Sequence, residues 1–201
     1  AFSSADSVLE RAITKVLFEG HSYGEESGGD PDFIPSLTYE NFLDMHSKYY
    51  HPSNSYIYLY GDMDMAKKLE WIDREYLGKF VDSKIEEAKT FDSVREANFE
   101  YPITEAQGEE NATYLSWNTM VGGELDPVIY MGFQILEYVL IDAPGAPLMD
   151  ALIDAGIGED VYGGYANGIS MPYFSVTAKN TNLEKKPEFL AVIEGTLRKL
   201  A

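Results

Sequence analysis

Three histidines, His21, His46 and His51, are the side chains in this sequence best suited to hold a metal ion or to move a proton near neutral pH. A zinc site on a helix needs two histidines four residues apart, because positions i and i+4 share a face and reach one ion. His46 and His51 are five residues apart, and Pro52 follows the second. We predict that His46 is a hydrogen-bonded core histidine and that His51 is a capping residue, with metal binding as the alternative.

The sequence also lacks residues and motifs that other kinds of catalysis require. The chain contains no cysteine, which excludes disulfides, thiolate metal sites and a cysteine nucleophile. We recognise no nucleophile elbow for a serine, no Walker A sequence and no dinucleotide-binding fingerprint. Glu109 and Glu110 are more typical of a solvated hairpin tip than of an acid/base pair. The motifs therefore predict no complete catalytic site within the 201 residues.

The glycine-rich segment Ser27-Gly28-Gly29-Asp30-Pro31 has two interpretations. Its backbone amides could cradle an anion, as a nest does, but acidic residues at positions 25, 26, 30 and 32 argue against phosphate. We favour a structural loop in which glycines adopt positive φ and an aspartate caps the turn. We likewise predict that Gly122-Gly123 and Gly163-Gly164 are turn or bulge glycines.

The charge balance limits the classes of partner. Thirty-four acidic against fifteen basic residues give a net charge of −19, so nucleic acid and anionic membrane surfaces would repel the chain. Cationic peptides and metal ions would be favoured. The longest apolar run is far shorter than the roughly 18 residues of a membrane-spanning helix. No signal peptide is visible, which favours a cytoplasmic location. The start at Ala1, without methionine, suggests a fragment of a longer polypeptide.

The first part of the chain reads as a helix, a long loop, a helix, a strand and a helix. The first helix runs from about residue 5 to 18, and the second starts after Thr38, a good N-cap. His51-Pro52 should end the second helix, because proline resists a helix interior. Residues 55–60 alternate tyrosine with Ile57 and Leu59 and predict a strand with both faces at least partly covered. The third helix, about 64–80, has a predicted buried stripe of Met65, Leu69, Ile72, Tyr76 and Phe80.

The second part reads as two strands, two helices, two strands and a helix. The strands are predicted at about 99–104, 112–117, 159–165 and 172–179. Asp126-Pro127 opens a helix that we expect to be largely buried, because its apolar face is wide and includes Val128, Gly132, Ile135, Leu136, Val139 and Leu140. Pro147 and Gly156 bracket a short helix, and a last amphipathic helix covers 187–200.

This order predicts an α+β fold in which helices pack on one face of a mostly antiparallel sheet. The charged, poorly patterned stretch 83–98 is the best candidate for a linker. We therefore expect residues 1–82 to be the C-terminal part of one domain and residues 99–201 to form a second, related domain.

Two segments, SGGDPDFIPSLTYENF and HSKYYHPSNSYIYLYGD, resemble one family in wording and in order. The chain is similar to the pitrilysin/insulinase superfamily of zinc metallopeptidases, in its presequence-protease and falcilysin branch. A looser similarity continues through Ser116-Trp117, Gly132-Phe133, residues 146–148 and residues 174–176. The residues that carry the strongest resemblance, which we expect to be structural, are Ser27, Gly28, Gly29, Asp30, Pro31, Tyr50, His51, Pro52, Asn54, Gly61 and Asp62.

The resemblance implies a catalytic zinc on an inverted H-x-x-E-H helix, which lies upstream of the residues present here. Residues 1–82 would then be the end of the zinc-bearing domain, and residues 99–201 would be a non-catalytic domain of the same enzyme. The parent would cleave short unstructured peptides in a closed chamber, together with its remaining domains, whereas this chain alone would bind no zinc and be inactive. The alternatives are a non-catalytic homologue that acts as a partner subunit, and a stand-alone binding module that uses the glycine-rich loop.

Overall fold

The computed structural model describes residues 4–84, 93–105, 108–122 and 126–201. These residues form two compact units, one drawn from positions 1–25 and 91–201 and the other from positions 26–90. In chain order the helices and strands are α1 (Ala5–Leu17), α2 (Tyr39–Tyr49), α3 (Met65–Glu75), β1 (Thr113–Met120), α4 (Pro127–Glu137), α5 (Pro147–Asp154), β2 (Asp160–Ala166), β3 (Tyr173–Thr181) and α6 (Lys186–Leu200). A π-helical turn, Tyr138–Asp142, extends α4. Within the described ranges, no helix is long and apolar enough to cross a membrane.

The first unit is built on an antiparallel sheet with the strand order β1-β3-β2. Leu115 and Val161 both pair with Ala178, and Trp117 and Gly163 both pair with Val176. Because side chains alternate along a strand, these residues share one face. That face packs against α4, its π-helical turn, α5 and α6 in a core that includes Ile141, Leu148, Leu152, Ile157, Phe189 and Ile193. The predicted α+β fold with a mostly antiparallel sheet is confirmed.

The opposite face of the sheet receives α1. Lys179 on that face forms an ion pair with Asp6 of α1, and its ammonium lies 4.6 Å from the Tyr162 ring centroid. The hydrogen bond that the Lys179 ammonium donates to the Asp6 carboxylate raises the pKa of Lys179. Just beyond α1, the fully buried Phe18 packs edge-on against Tyr173 of β3, with ring centroids 5.9 Å apart. The first unit therefore includes the N-terminal helix, and the sheet is contacted on both faces.

Local signals placed the helix ends correctly. The Thr38 hydroxyl accepts a hydrogen bond from the Asn41 amide in a capping box, and α2 ends before His51-Pro52 as predicted. Asp126 Oδ1 accepts hydrogen bonds from the amides of Val128 and Ile129, and Pro127 is the first residue of α4. These contacts satisfy amide groups that a helix start would otherwise leave unpaired.

The second unit has regular helices but no core of its own within the described residues. None of its described side chains is buried, although many are large and apolar. The prediction of a covered strand at residues 55–60 is wrong for this structure: the segment belongs to no sheet, and Tyr56, Tyr58 and Tyr60 are exposed. The predicted buried stripe of α3 is also wrong, because Met65, Leu69, Tyr76 and Phe80 are exposed. Alternating and helical apolar patterns indicate surfaces that need a packing partner, and the described residues of this unit do not supply one.

Two further predictions differ from the structure in the first unit. Residues 99–104 do not form a strand. Gly163 and Gly164 are neither turn nor bulge glycines, because they lie in regular register with Val176 and Ser175. Gly123 lies outside the described residues. The predicted boundaries at 1–82, 83–98 and 99–201 stay predictions, although the structure groups α1 with the sheet.

Candidate functional site

The glycine-rich loop is held by turn contacts. Gly29 has φ +83°, and its amide donates to the carbonyl of Glu26. Asp30 Oδ1 accepts a hydrogen bond from the Asp32 amide at 2.9 Å, and the Asp30 carbonyl accepts from the amides of Phe33 and Ile34. These features fit the structural loop that we favoured over an anion nest, because the aspartate occupies the cap position of the turn.

His51 and its neighbours form a second turn. The Nδ1 atom of His51 accepts a hydrogen bond from the Ser53 amide at 3.2 Å, so His51 caps the short turn Pro52–Asn54. The Asn54 side-chain amide donates to the carbonyl of Tyr49 at 2.9 Å, which closes the end of α2. A histidine that uses Nδ1 as a cap has only Nε2 left for other chemistry. The capping role predicted for His51 is present.

His46 does not lie in a core. Its ring is exposed and stacks on the exposed ring of Tyr50 with centroids 4.8 Å apart. The prediction of a buried, hydrogen-bonded histidine is therefore wrong in this structure, because none of the described residues of the second unit buries the apolar face of α2. Gly61, with φ +127°, and the exposed Asp62 precede the N-cap Asp64 of α3. That the family-motif residues act only as structure stays a prediction.

The chemical capacity of these residues is small. Among the described residues, no group of three or more His, Asp or Glu side chains lies close enough to hold a metal ion. The chain's three histidines include two, His21 and His51, whose Nδ1 atoms accept backbone amide hydrogen bonds. The residues that the structure describes therefore do not fit a three-ligand zinc site.

The sequence contains one serine motif that the sequence-based prediction missed. Gly20-His21-Ser22-Tyr23-Gly24 has the G-x-S-x-G spelling of a nucleophile elbow. A working elbow places the serine between a strand and a helix, whereas Ser22 begins a short 3-10 turn after α1. Tyr23 then bonds through its hydroxyl to Ser170. The pattern is present, but its structural context is that of a helix end.

A polar cleft of about 260 Å³ opens at one end of the first unit's sheet. Its side chains largely pair with one another: Asn111 and Asn182 exchange hydrogen bonds, and Asn180 donates to Glu159. Asn111 and Asn180 both adopt positive φ, which asparagine tolerates. The cleft is lined by Asn111, Gly156, Gly158, Glu159, Asn180, Thr181, Asn182 and Lys185. Internal pairing makes it a weak candidate for a ligand site.

Tyr165 carries a buried hydroxyl with no hydrogen-bond partner in the described part of the chain. Burial raises the pKa of this phenol. Because an unsatisfied buried hydroxyl costs free energy, we expect Tyr165→Phe to raise the free energy of unfolding by about 1 kcal/mol, measured by urea titration. Tyr130→Phe is the matched control, since its hydroxyl donates to Asn167 and it should gain nothing. A loss of stability in Tyr165→Phe would show that the hydroxyl has a partner in solution.

The outer face of α4 is a feature that the sequence prediction misjudged. We expected this helix to be largely buried, but Val128, Ile135, Leu136 and Val139 are exposed. Tyr130 and Phe133 face the core instead. A helix that is apolar on all sides predicts burial on all sides, and only one side is covered here.

Comparisons with known proteins bear on the whole chain. Residues 36–201 match the family model described as "Peptidase M16 inactive domain". Protein HypA of Clostridium perfringens is 45% identical over all of this chain and 21% of its own length. Presequence protease 1, chloroplastic/mitochondrial, of Arabidopsis thaliana is 32% identical over all of this chain and 19% of its own length. The mitochondrial presequence protease of Xenopus laevis is 28% identical, also over all of this chain and over 20% of its length.

A solved structure shares the fold. The crystal structure of a peptidase M16 inactive domain from Pseudomonas fluorescens superposes with a TM-score of 0.53 and 20% identity, over 94% of this chain and 45% of that one. The chain spans about a fifth of the length of these curated relatives.

Proposed function

The chain belongs to the M16 peptidase family, and from that premise we propose that it is a non-catalytic segment of a zinc-dependent metalloendopeptidase. The sequence-based prediction of the pitrilysin/insulinase superfamily, with a presequence-protease-like sequence, is confirmed. In the proposed parent, residues 1–82 form the C-terminal part of the zinc-bearing domain. Residues 83–98 are the linker to residues 99–201, which form the second, non-catalytic domain.

The bare apolar surface of the second unit is the observation that carries this proposal. In α2, Tyr39, Phe42 and Tyr49 lie exposed along one face at helical spacing, and the tyrosines of residues 55–60 are exposed beside them in sequence. Fixing these residues costs conformational entropy that exposed side chains cannot offset. A segment with good helix caps but no core is expected where a larger domain supplies the missing layer.

The proposed zinc lies outside the residues described here. The described side chains offer no three-ligand group, so we derive no catalytic step from them. In the parent, zinc would activate a water for attack on a peptide carbonyl. The contribution of this chain is to complete the zinc-bearing domain and to form part of the wall around a bound peptide.

The proposed substrate is a short unstructured peptide enclosed in a chamber. The net charge of −19 supports a preference for basic peptides and disfavours nucleic acid and anionic membranes as partners. A cytoplasmic location stays a prediction, and the names of the Arabidopsis and Xenopus relatives place those proteins in organelles.

We predict that the 201-residue chain cleaves no peptide, whereas the purified parent cleaves an unstructured, basic fluorogenic peptide in a zinc-dependent manner. Both proteins are assayed with and without a chelator, and their zinc is measured by atomic emission. Chelation should abolish the activity of the parent, and added zinc should restore it. Chelator-sensitive cleavage by the 201-residue chain would contradict the proposal, because it would require a metal site within these residues.

A parent without zinc and without peptide cleavage would favour the alternative, a non-catalytic homologue that acts as a structural or partner subunit. The sequence of the parent discriminates in the same way, since the enzyme requires an H-x-x-E-H motif upstream of these residues.

A further inference from the structure

The outer face of α4 is an apolar stripe on the first unit. Val128, Met131 and Ile135 recur at helical spacing and are 78%, 53% and 60% exposed. Leu136, Tyr138 and Val139 continue the stripe into the π-helical turn and are also exposed. We call these six residues the α4 stripe. At 1.5 Å per residue it is roughly 16 Å long, about three helical turns.

The α4 stripe does not contribute to the core of the first unit, because the opposite side of α4 does so. Tyr130 and Phe133 project from the other side of α4 and pack on the core, where Phe133 lies 5.5 Å from the ring centroid of Tyr165. Gln134 and Glu137 are only partly exposed, and every exposed residue in Pro127–Glu137 is apolar. An exposed apolar patch of this kind marks a contact surface in a soluble protein.

Charge around the stripe specifies the chemistry of its occupant. Residues 96–178, which include β1, α4, α5 and β2, contain thirteen aspartates and glutamates and no lysine, arginine or histidine. Asp126 and Asp142 lie exposed at the two ends of the stripe. A second copy of the chain would bring a net charge of −19 against this surface, so like-charge repulsion opposes self-association there. A cationic partner is favoured.

We propose that the α4 stripe docks a helix from the remainder of the longer polypeptide, with an apolar face flanked by lysine or arginine. Apolar residues at i, i+3 and i+7 lie on one helix face, against which a second helix can pack, and basic flanks would pair with Asp126 and Asp142. The relatives are about five times as long as this chain, which leaves ample sequence to supply such a helix. The proposal rests on the chain being a segment of a longer protein, but not on zinc or peptidase activity.

The first experiment identifies the occupant directly. The photo-crosslinking amino acid p-benzoylphenylalanine is placed at Ile135 in the purified parent, and the crosslinked peptides are sequenced by mass spectrometry. We expect an intramolecular crosslink to a segment with helical apolar spacing and flanking basic residues. Crosslinks to a second copy, to an added peptide substrate, to a segment without basic residues, or to nothing would overturn the proposal.

The second experiment reads the charge of the occupant. In the 201-residue chain, position 135 lies in a stretch, residues 96–178, that has thirteen acidic and no basic residues, so Ile135→Lys should be at least as stable as Ile135→Glu. In the parent the order should reverse, with Ile135→Lys lowering the Tm more than Ile135→Glu, because lysine would meet a cationic helix. Ile153→Lys and Ile153→Glu are the matched control, since Ile153 is exposed between Asp150 and Asp154 outside the stripe, and their order should not reverse.

An unchanged order at position 135 would overturn the cationic character of the partner, even if a crosslink forms. Failure of peptide cleavage by the parent would leave both readouts intact, so the failure of this inference is distinguishable from failure of the proposed enzymatic function.

Discussion

Replacing Phe18 with alanine should lower the free energy of unfolding of the first unit by about 3 to 5 kcal/mol, the usual cost of deleting a buried aromatic side chain. Phe18 is fully buried although it lies just beyond the end of α1. Its ring meets Tyr23 and Tyr173 edge-on, at centroid distances of 5.5 and 5.9 Å. Deletion leaves a cavity between the N-terminal segment and β3, which the surrounding backbone cannot fill.

Tryptophan fluorescence during urea unfolding measures this change in stability. In a Trp71→Phe background, Trp117 on β1 is the remaining tryptophan, and its fluorescence during urea unfolding reports on the first unit. Phe33→Ala is the control, because Phe33 is exposed in the second unit and its truncation should change stability by less than roughly 0.5 kcal/mol. If Phe18→Ala leaves the Trp117 transition unchanged, residues 4–25 do not belong with the sheet, and the predicted domain of residues 1–82 regains support.

Replacing Gly163 with alanine should cost about 1 to 3 kcal/mol, as overpacking of a full core does. A Cβ atom at this position would overlap Ile141 Cδ1 and the carbonyl oxygen of Ser175. The Ile141 side chain could rotate, but the Ser175 carbonyl is backbone of the paired strand β3. The π-helical turn or the sheet must therefore shift.

The neighbouring residue provides the control for this prediction. A Cβ atom at Gly164 would meet its closest neighbour, Glu137 Oε1, at 3.7 Å, an ordinary contact. Gly164→Ala should therefore be close to neutral by thermal unfolding, whereas Gly163→Ala should lower the Tm by several degrees. Equal Tm values for the two variants would contradict the close approach of Ile141 to β2.

Local sequence signals predicted most of the secondary structure. The caps Thr38 and Asp126 and the Pro147 start of α5 act within a few residues, so they work whether or not a partner is present. The three strands of the sheet were also predicted within a few residues, because each has a neighbour in this chain. The glycine pair of β2 was wrongly predicted to form a turn or bulge. The residue that leaves no room for a side chain at position 163 is Ile141, which lies 22 positions earlier in the sequence.

Some features of the candidate site were predictable from local sequence, and others were not. The capping roles of Asp30 and His51 follow from turn chemistry and were predictable from the residues. The environment of His46 was not, because burial depends on what packs against α2 rather than on α2 itself.

By itself, the sequence determined the family, the α+β class, the helix ends and the acidic character of this chain, since motifs, caps and charge are local or additive properties. Only the tertiary structure decided that Phe18 joins the N-terminal helix to the sheet and which apolar faces are covered. The alternation at Tyr56–Tyr60 and the apolar rows of α3 and α4 each predict a contact, but a period of two or 3.6 residues specifies a face and not its partner. The sheet supplies that partner for one side of α4, and the other side remains exposed.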